Sequence, residues 1–255
     1  MNADILTERD GEIATVTLFN PDKLNALNAA MWRKLKASFD TLSADDGLRA
    51  VILRGDGANF AAGGDIEEFL VERATPEQAR RYHGEWVAGA LTAIAECRHP
   101  TVAAIRGACV GGGLEIAAQC DLRIAGEGAR FGAPIMKLGF AMYPGELAGV
   151  LALAGAATAL EILLEGRLLS AAEALQKGLV TRVVADAEVE AEALATARRI
   201  AAGAPLVARA HTRLIRRMAA ALASDEDSFW FLGSADYAEG MAAFLAKRAP
   251  NFQGR

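Results

Sequence analysis

The chain has 255 residues, 53% of them hydrophobic but only 6% aromatic, with 25 glycines and more than fifty alanines, so small side chains must build most of its interior. That length buries a substantial core, as one large domain or as a domain with an appendage. Twenty-seven Lys plus Arg against 32 Asp plus Glu leave a net charge of -5. This composition excludes intrinsic disorder and argues against a general nucleic-acid binder, which would need a basic footprint.

The amino terminus carries neither a basic n-region nor an apolar h-region, so no secretory signal is expected and the reading is cytoplasmic. No apolar run reaches the length of a membrane span, and no membrane partner is expected. The segments ILTER and EIATVTLF flank Asp10-Gly11, which predicts a hairpin with a type I′ turn. Asn28 is placed to cap a helix whose stripe is Met31, Leu35, Phe39 and Leu42. The apolar run Arg49 to Gly55 predicts a strand covered on both faces. Thr75-Pro76-Glu77-Gln78 is a capping box that opens a helix to about Cys97, and His99-Pro100 breaks it.

Residues 101 to 107 read as another buried strand, followed by a glycine run, a helix through Gln119 and a strand at DLRIAG. The alanine-rich stretch from Leu147 to Leu160 reads as a buried helix. Ser170-Ala171-Ala172-Glu173 is a second capping box, for a short helix ending at Gly178 before the strand LVTRVV. Beyond residue 188 only helices are expected: Glu188 to Ala201, Pro205 to Ala223 and Phe229 to Lys247. The organisation is therefore an α/β core over 1–188 and a helical region over 189–255. Cys97, Cys109 and Cys120 are odd in number and lack paired metal-ligand spacing, as do the scattered His83, His99 and His211. They predict reduced thiols packed as small hydrophobes, with no disulfide and no metal site.

Two glycine clusters ask for a chemical explanation. Phe60-Ala61-Ala62-Gly63-Gly64-Asp65-Ile66 follows a strand, and its paired glycines let backbone amides approach a ligand, although an ordinary strand-to-helix turn would use the same residues. No Gly-Lys-Ser/Thr follows, which argues against a phosphate loop. The second cluster, Gly107 to Glu115, places Gly111-Gly112-Gly113 at a helix amino terminus. Each interior helical glycine costs roughly 1 kcal/mol relative to alanine. Free first-turn amides and the positive end of the dipole suit a developing anion there. Glu115 lies three residues after Gly112 and so on the same helix face, where a carboxylate could move a proton; a first-turn glutamate favoured by the dipole explains it equally.

NPDKLNAL, FAAGGDIEEF, IRGACVGGGLEIAAQCDLRIAG and GRLLSAAEALQKGLVTRVV, in that order, with EGMAAFLAKRAPNF at the end, resemble the crotonase superfamily, the enoyl-CoA hydratase/isomerase family. The resemblance spans nearly the whole chain. It implies an α/β spiral of ββα turns with a carboxy-terminal helical trimerisation region, and a homotrimer or homohexamer. It also implies an acyl-CoA substrate, with no cofactor beyond the coenzyme A of that thioester and no metal. By position, the Gly64 and Gly112 amides would hold the thioester oxygen and Glu115 would be the acid/base. Lys23, Ala61, Gly63, Ile66, Lys247 and, more loosely, Phe229 match positions that contact coenzyme A. The basic stripe Arg209, Arg213, Arg216 and Arg217 could attract its phosphates, or form an exposed helix face.

The sequence departs from the family pattern at one catalytic position. Typical hydratases of the family use a second glutamate, and here Phe131-Gly132-Ala133-Pro134-Ile135 places Ile135 at that point. An aliphatic side chain transfers no proton; Glu115 could serve both roles, with another acid or water returning a proton, and Glu146 and Tyr143 are the possible replacements for the second acid/base. Enoyl-CoA hydratase is the leading expectation. An isomerase, decarboxylase, lyase or thioesterase on the same scaffold is the alternative, and a non-catalytic CoA-binding protein a further one.

Overall fold

The computed structural model describes residues 2–219 and 234–255. Strands β1 (Asp4–Asp10) and β2 (Ile13–Phe19) form the expected hairpin, paired antiparallel from Asp4↔Phe19 to Asp10↔Ile13. The turn falls one residue later than expected, because Asp10 is still in the ladder and Gly11-Glu12 form its centre. Of these two only Gly11 has a positive φ, 59°, so the turn follows the II′ pattern rather than I′.

Helix α1 (Ala29–Ala44) follows, with the Asn28 side chain accepting from the Met31 amide at 2.8 Å and the expected stripe buried. Then come β3 (Ala50–Gly55), α2 (Ile66–Glu72), α3 (Pro76–Arg81) and α4 (Ala88–Ala95). The Thr75 capping box is present in both directions, at 3.2 and 2.9 Å. One continuous helix was the expectation here; instead α3 and α4 are joined by a wide π turn over Tyr82–Val87. Next are β4 (Thr101–Ile105), β5 (Ala108–Val110), α5 (Gly112–Gln119), β6 (Leu122–Gly126) and β7 (Arg130–Gly132). After them come α6 (Pro144–Leu160), β8 (Leu169–Ser170), α7 (Ala171–Gln176), β9 (Arg182–Val184) and α8 (Val189–Ala201). The described chain closes with α9 (Pro205–Ala219) and α10 (Ala235–Leu245).

Six strands make one sheet in the order β1-β2-β3-β4-β6-β9, parallel throughout except for the first pair. Strand periodicity divides its side chains between two cores. Val16, Leu18, Val51, Leu53, Ala103 and Ile105 face the larger one, which includes residues of α1, α4 and α5. Ile13, Ile52, Val102, Ala104 and Ile124 face the other, closed by Val189, Ala193, Ala197 and Ala201 at four-residue spacing on α8. The expected division at residues 188/189 therefore falls just before the helix that covers the second face of this sheet. A second sheet, β5-β7-β8, has no counterpart in the sequence reading, because strands of two or three residues are too short to show a period.

Two expectations are corrected at α6. The stretch from Leu147 to Leu160 is not a buried helix: Leu151, Leu160 and Leu164 just beyond it are 43%, 54% and 60% exposed. Helical geometry also breaks inside α6 at Gly155, with φ 73°. By length and composition Pro144–Glu165 is apolar enough to cross a membrane, contrary to the reading that no run reaches that length. Alanine and leucine lie all round this helix, so packing one side against the core leaves apolar surface outside.

The basic stripe on α9 is likewise not simply a solvated face. Arg209 donates to the Asp46 and Leu48 carbonyls at 3.4 and 3.3 Å, and Arg216 to the Cys97 carbonyl and Asp121 at 3.0 and 2.8 Å. Arg213 is exposed, and the Arg217 side chain is outside the described set. The three cysteines are free and buried, and burial pushes the Cys120 thiol up to about 12.

Candidate active site

The two glycine clusters meet through backbone pairing. Ala61 donates to the Ala108 carbonyl at 2.9 Å and accepts from the Val110 amide at 3.0 Å, an isolated parallel bridge that sets Ala61 against Cys109. Beyond the bridge the two runs stay in contact, with the Gly63 Cβ position 3.5 Å from the Gly112 nitrogen and 3.7 Å from the Gly111 Cα. Neither the Gly64 nor the Gly112 amide donates to a backbone acceptor among the described residues. Gly112 opens α5, so its N–H is one of the helix's orphan donors.

Glycine is required by the closeness of these two runs. A Cβ on Gly113 would stand 2.4 Å from the Ala61 carbonyl oxygen, and Gly63 adopts φ 109° with a Cβ position 3.1 Å from the Val110 oxygen. Asparagines latch the surrounding loops. Asn25, buried and at φ 58°, donates to the Asp56 and Asn59 carbonyls at 2.8 Å each, and Asn59 accepts from the Ala108 amide at 2.9 Å. This latch went unread in NPDKLNAL, because its partners lie more than thirty residues along the chain.

Gly63, Gly64 and Gly112 line a cleft of about 160 Å³ that also contains Glu115, His83 and Glu146. Its remaining wall is apolar, with Trp32, Phe69, Val87, Ile135, Leu138 and Phe140. Ile66 also lines it. Glu115 is 6% exposed. Burial, with the charge of Glu146 adding to it, holds its carboxyl well above the ordinary glutamate value, so the protonated form is favoured. Glu146, 4% exposed, comes from the first turn of α6; His83 comes from the π turn, and its Nδ1 pairs with Glu146 Oε1. Tyr82, also on the wall, has its phenol pushed up by burial and stays neutral.

The other expected residues divide clearly. Tyr143 lies outside the cleft wall, 41% exposed, with its ring stacked against His83. Asp65 caps α2 and accepts from Lys23 at 2.8 Å, which also pairs with Glu67 at 2.7 Å. Ala61 is fully buried in the bridge with Cys109, and Lys247 is exposed at φ 52° beyond α10. Phe229 lies outside the described residues. His83 was missed: a lone histidine in a helical stretch gives no signal until the π turn aims it at Glu146.

Two amides without backbone acceptors on an apolar cleft, with a buried carboxyl on the same helix as one of them, are groups that can hold a carbonyl oxygen gaining charge and move a proton. Comparison with known proteins agrees. A model of the enoyl-CoA hydratase/isomerase family matches residues 8–255. A Rhizobium meliloti protein named as a probable enoyl-CoA hydratase is 36% identical over 257 residues, covering 98% of each chain. The crystal structure of an enoyl-CoA hydratase/carnithine racemase from Magnetospirillum magneticum superposes with a TM-score of 0.96 at 49% identity, covering 100% of this chain and 97% of that one. An enoyl-CoA hydratase from Bacillus anthracis gives 0.89 at 28% identity, with coverages of 98% and 99%. The chain belongs to the enoyl-CoA hydratase/isomerase family, and its fold is the crotonase fold of these neighbours.

Proposed function

We propose that the protein is an enoyl-CoA hydratase, adding water across the 2,3-double bond of an enoyl thioester. The observation that carries this reading is the gathering of Gly64, Gly112 and Glu115 on one apolar cleft, with both glycine amides lacking a backbone acceptor among the described residues. Attack at C3 moves charge onto the thioester oxygen, and two fixed N–H donors stabilise the resulting enolate without reorganising. One such donor is worth roughly a hundred- to thousandfold in rate. Glu115 is the acid/base. The names of the relatives support hydration over the family's other reactions.

Lys23, Ala61, Gly63, Ile66, Lys247 and Phe229 are assigned to coenzyme A, and no cofactor beyond the substrate's own coenzyme A enters the reaction. The placement of Gly63 and Ile66 on the cleft supports the first part. We assign a cytoplasmic location and a homotrimer or homohexamer, with residues 189–255 contributing to assembly. A second reading rests on Ile135, which lines the cleft where the family resemblance implies a second carboxylate. Double-bond isomerisation can proceed with one proton-transfer group, so it is the rival.

A panel of enoyl, β-keto and malonyl thioesters decides between them. A 3-hydroxyacyl product supports hydration; a shifted double bond, decarboxylation, cleavage or free acid identifies a rival. Glu115→Gln is expected to lower kcat by about a hundredfold or more. Unchanged turnover of every active thioester would show that Glu115 has no catalytic role, and tight CoA binding with no turnover would leave a binding protein.

A further inference from the structure

We infer that His83 is the positioning residue for the second proton-transfer group: its Nδ1 holds Glu146 so that this carboxyl shares the cleft with Glu115, standing in for the carboxylate absent at Ile135. The inference rests on the hydratase reading. It joins two residues 63 positions apart that no motif connects.

Both oxygens of Glu146 are committed. Oε1 pairs with His83 Nδ1, and Oε2 accepts from the Tyr143 backbone amide at 3.2 Å. The histidine ring is held as well, edge-on to Tyr82 at 5.2 Å and stacked on Tyr143 at 6.3 Å with an interplanar angle of 24°. The π turn re-aims this part of the helix, bringing Tyr82, His83 and Val87 together onto the cleft wall. A carboxylate as buried as Glu146 needs a partner. The other ionisable groups facing the pair are Glu115 from α5, Arg73 at the end of α2, and the phenols of Tyr82 and Tyr143. Among the described residues none of their side chains hydrogen-bonds Glu146, and Arg73 instead lies over the Phe69 and Phe140 rings at 4.1 and 4.4 Å.

The pair gives the reaction a base in the same cleft as the acid. Glu115 favours its protonated form and so enters as the donor. Glu146, held by His83, takes a proton from water as the water oxygen bonds C3. The C2=C3 π electrons pass to the thioester oxygen, between the Gly64 and Gly112 amides. The enolate then takes the Glu115 proton at C2, breaking the carboxyl O–H bond. Water has supplied OH to C3 and a proton to the Glu146–His83 pair, and exchange with solvent returns a proton to Glu115.

Kinetics on the fastest thioester of the panel, crotonyl-CoA if it is turned over, test this. His83→Ala should lower kcat about ten- to a hundredfold while leaving KM within about twofold, the signature of a misplaced catalytic group. His83→Asn, whose side-chain amide can donate from the place of Nδ1, should recover most of the loss. In a Glu146→Gln background, His83→Ala should cost nothing further. Circular dichroism and melting confirm that each variant is folded, and the conservative His83→Asn and Glu146→Gln changes carry the test if His83→Ala is not. An unaffected kcat in His83→Ala or Glu146→Gln, with Glu115→Gln inactive, would overturn the inference and leave the hydratase reading standing. So would a His83→Ala penalty equal in both backgrounds. Full activity in Glu115→Gln would instead overturn the hydratase reading itself.

Discussion

Glu115 bears a cost that its position in the cleft imposes. Burial, reinforced by the charge of Glu146, raises its folded-state pKa above the unfolded value. The folded chain therefore binds that proton more tightly than the unfolded one, and stability from this group is complete below about pH 4, the unfolded carboxylate range. It is lost as pH rises through the folded value. Glu115→Gln removes the ionisable group and keeps its shape, so thermal melts should show the variant gaining on the wild type as pH increases, with the gain vanishing in acid. A pH-independent difference would show that Glu115 is not held protonated by the fold. At this scale the shared face of Gly112 and Glu115 was legible in the sequence, because an amide at a helix start and a carboxylate three residues on meet by helix geometry, whereas the role expected of Gly64 rested on the family resemblance. His83 was not legible, since its role depends on a carboxylate 63 residues away.

Elements announced themselves where local chemistry sets their boundaries. Asn28, Thr75 and Ser170 each cap the helix they were expected to cap. In the Ser170 box, the Ser170 backbone amide and then Arg167 hold the Glu173 carboxyl down to about 2, against an ordinary glutamate value of about 4.3. A depressed carboxylate contributes stability above the unfolded value and loses it as pH falls through the folded one. Glu173→Gln should therefore lower the urea midpoint near about pH 6, and the difference should shrink as pH falls through about 2. An equal loss at both would locate the effect in packing rather than in the cap. Elements failed to announce themselves where non-local contacts decide. The π turn and the three strands of the second sheet exist because of what they pack against, and the hairpin turn shifted because the ladder kept Asp10 paired.

For the molecule as a whole, the exposed side of α6 and its continuation bears on assembly. Leu151, Leu160 and Leu164 stand outside, and a large exposed apolar area marks an association surface. Light scattering at micromolar concentration is expected to give three or six times the chain's 26.8 kDa; a monomer mass would remove the proposed oligomer.

The fold class, the capped helices, the buried parallel strands and the two amide-bearing glycine runs followed from short-range rules: hydrophobic period, capping chemistry and the freedom of glycine. Each needs only a few consecutive residues. The meeting of the two glycine runs through the Ala61–Cys109 bridge, the pairing of His83 with Glu146, and the outward apolar side of α6 belong to the folded chain. They join segments tens of residues apart, or depend on which face the core leaves uncovered, and no local pattern encodes such a distance.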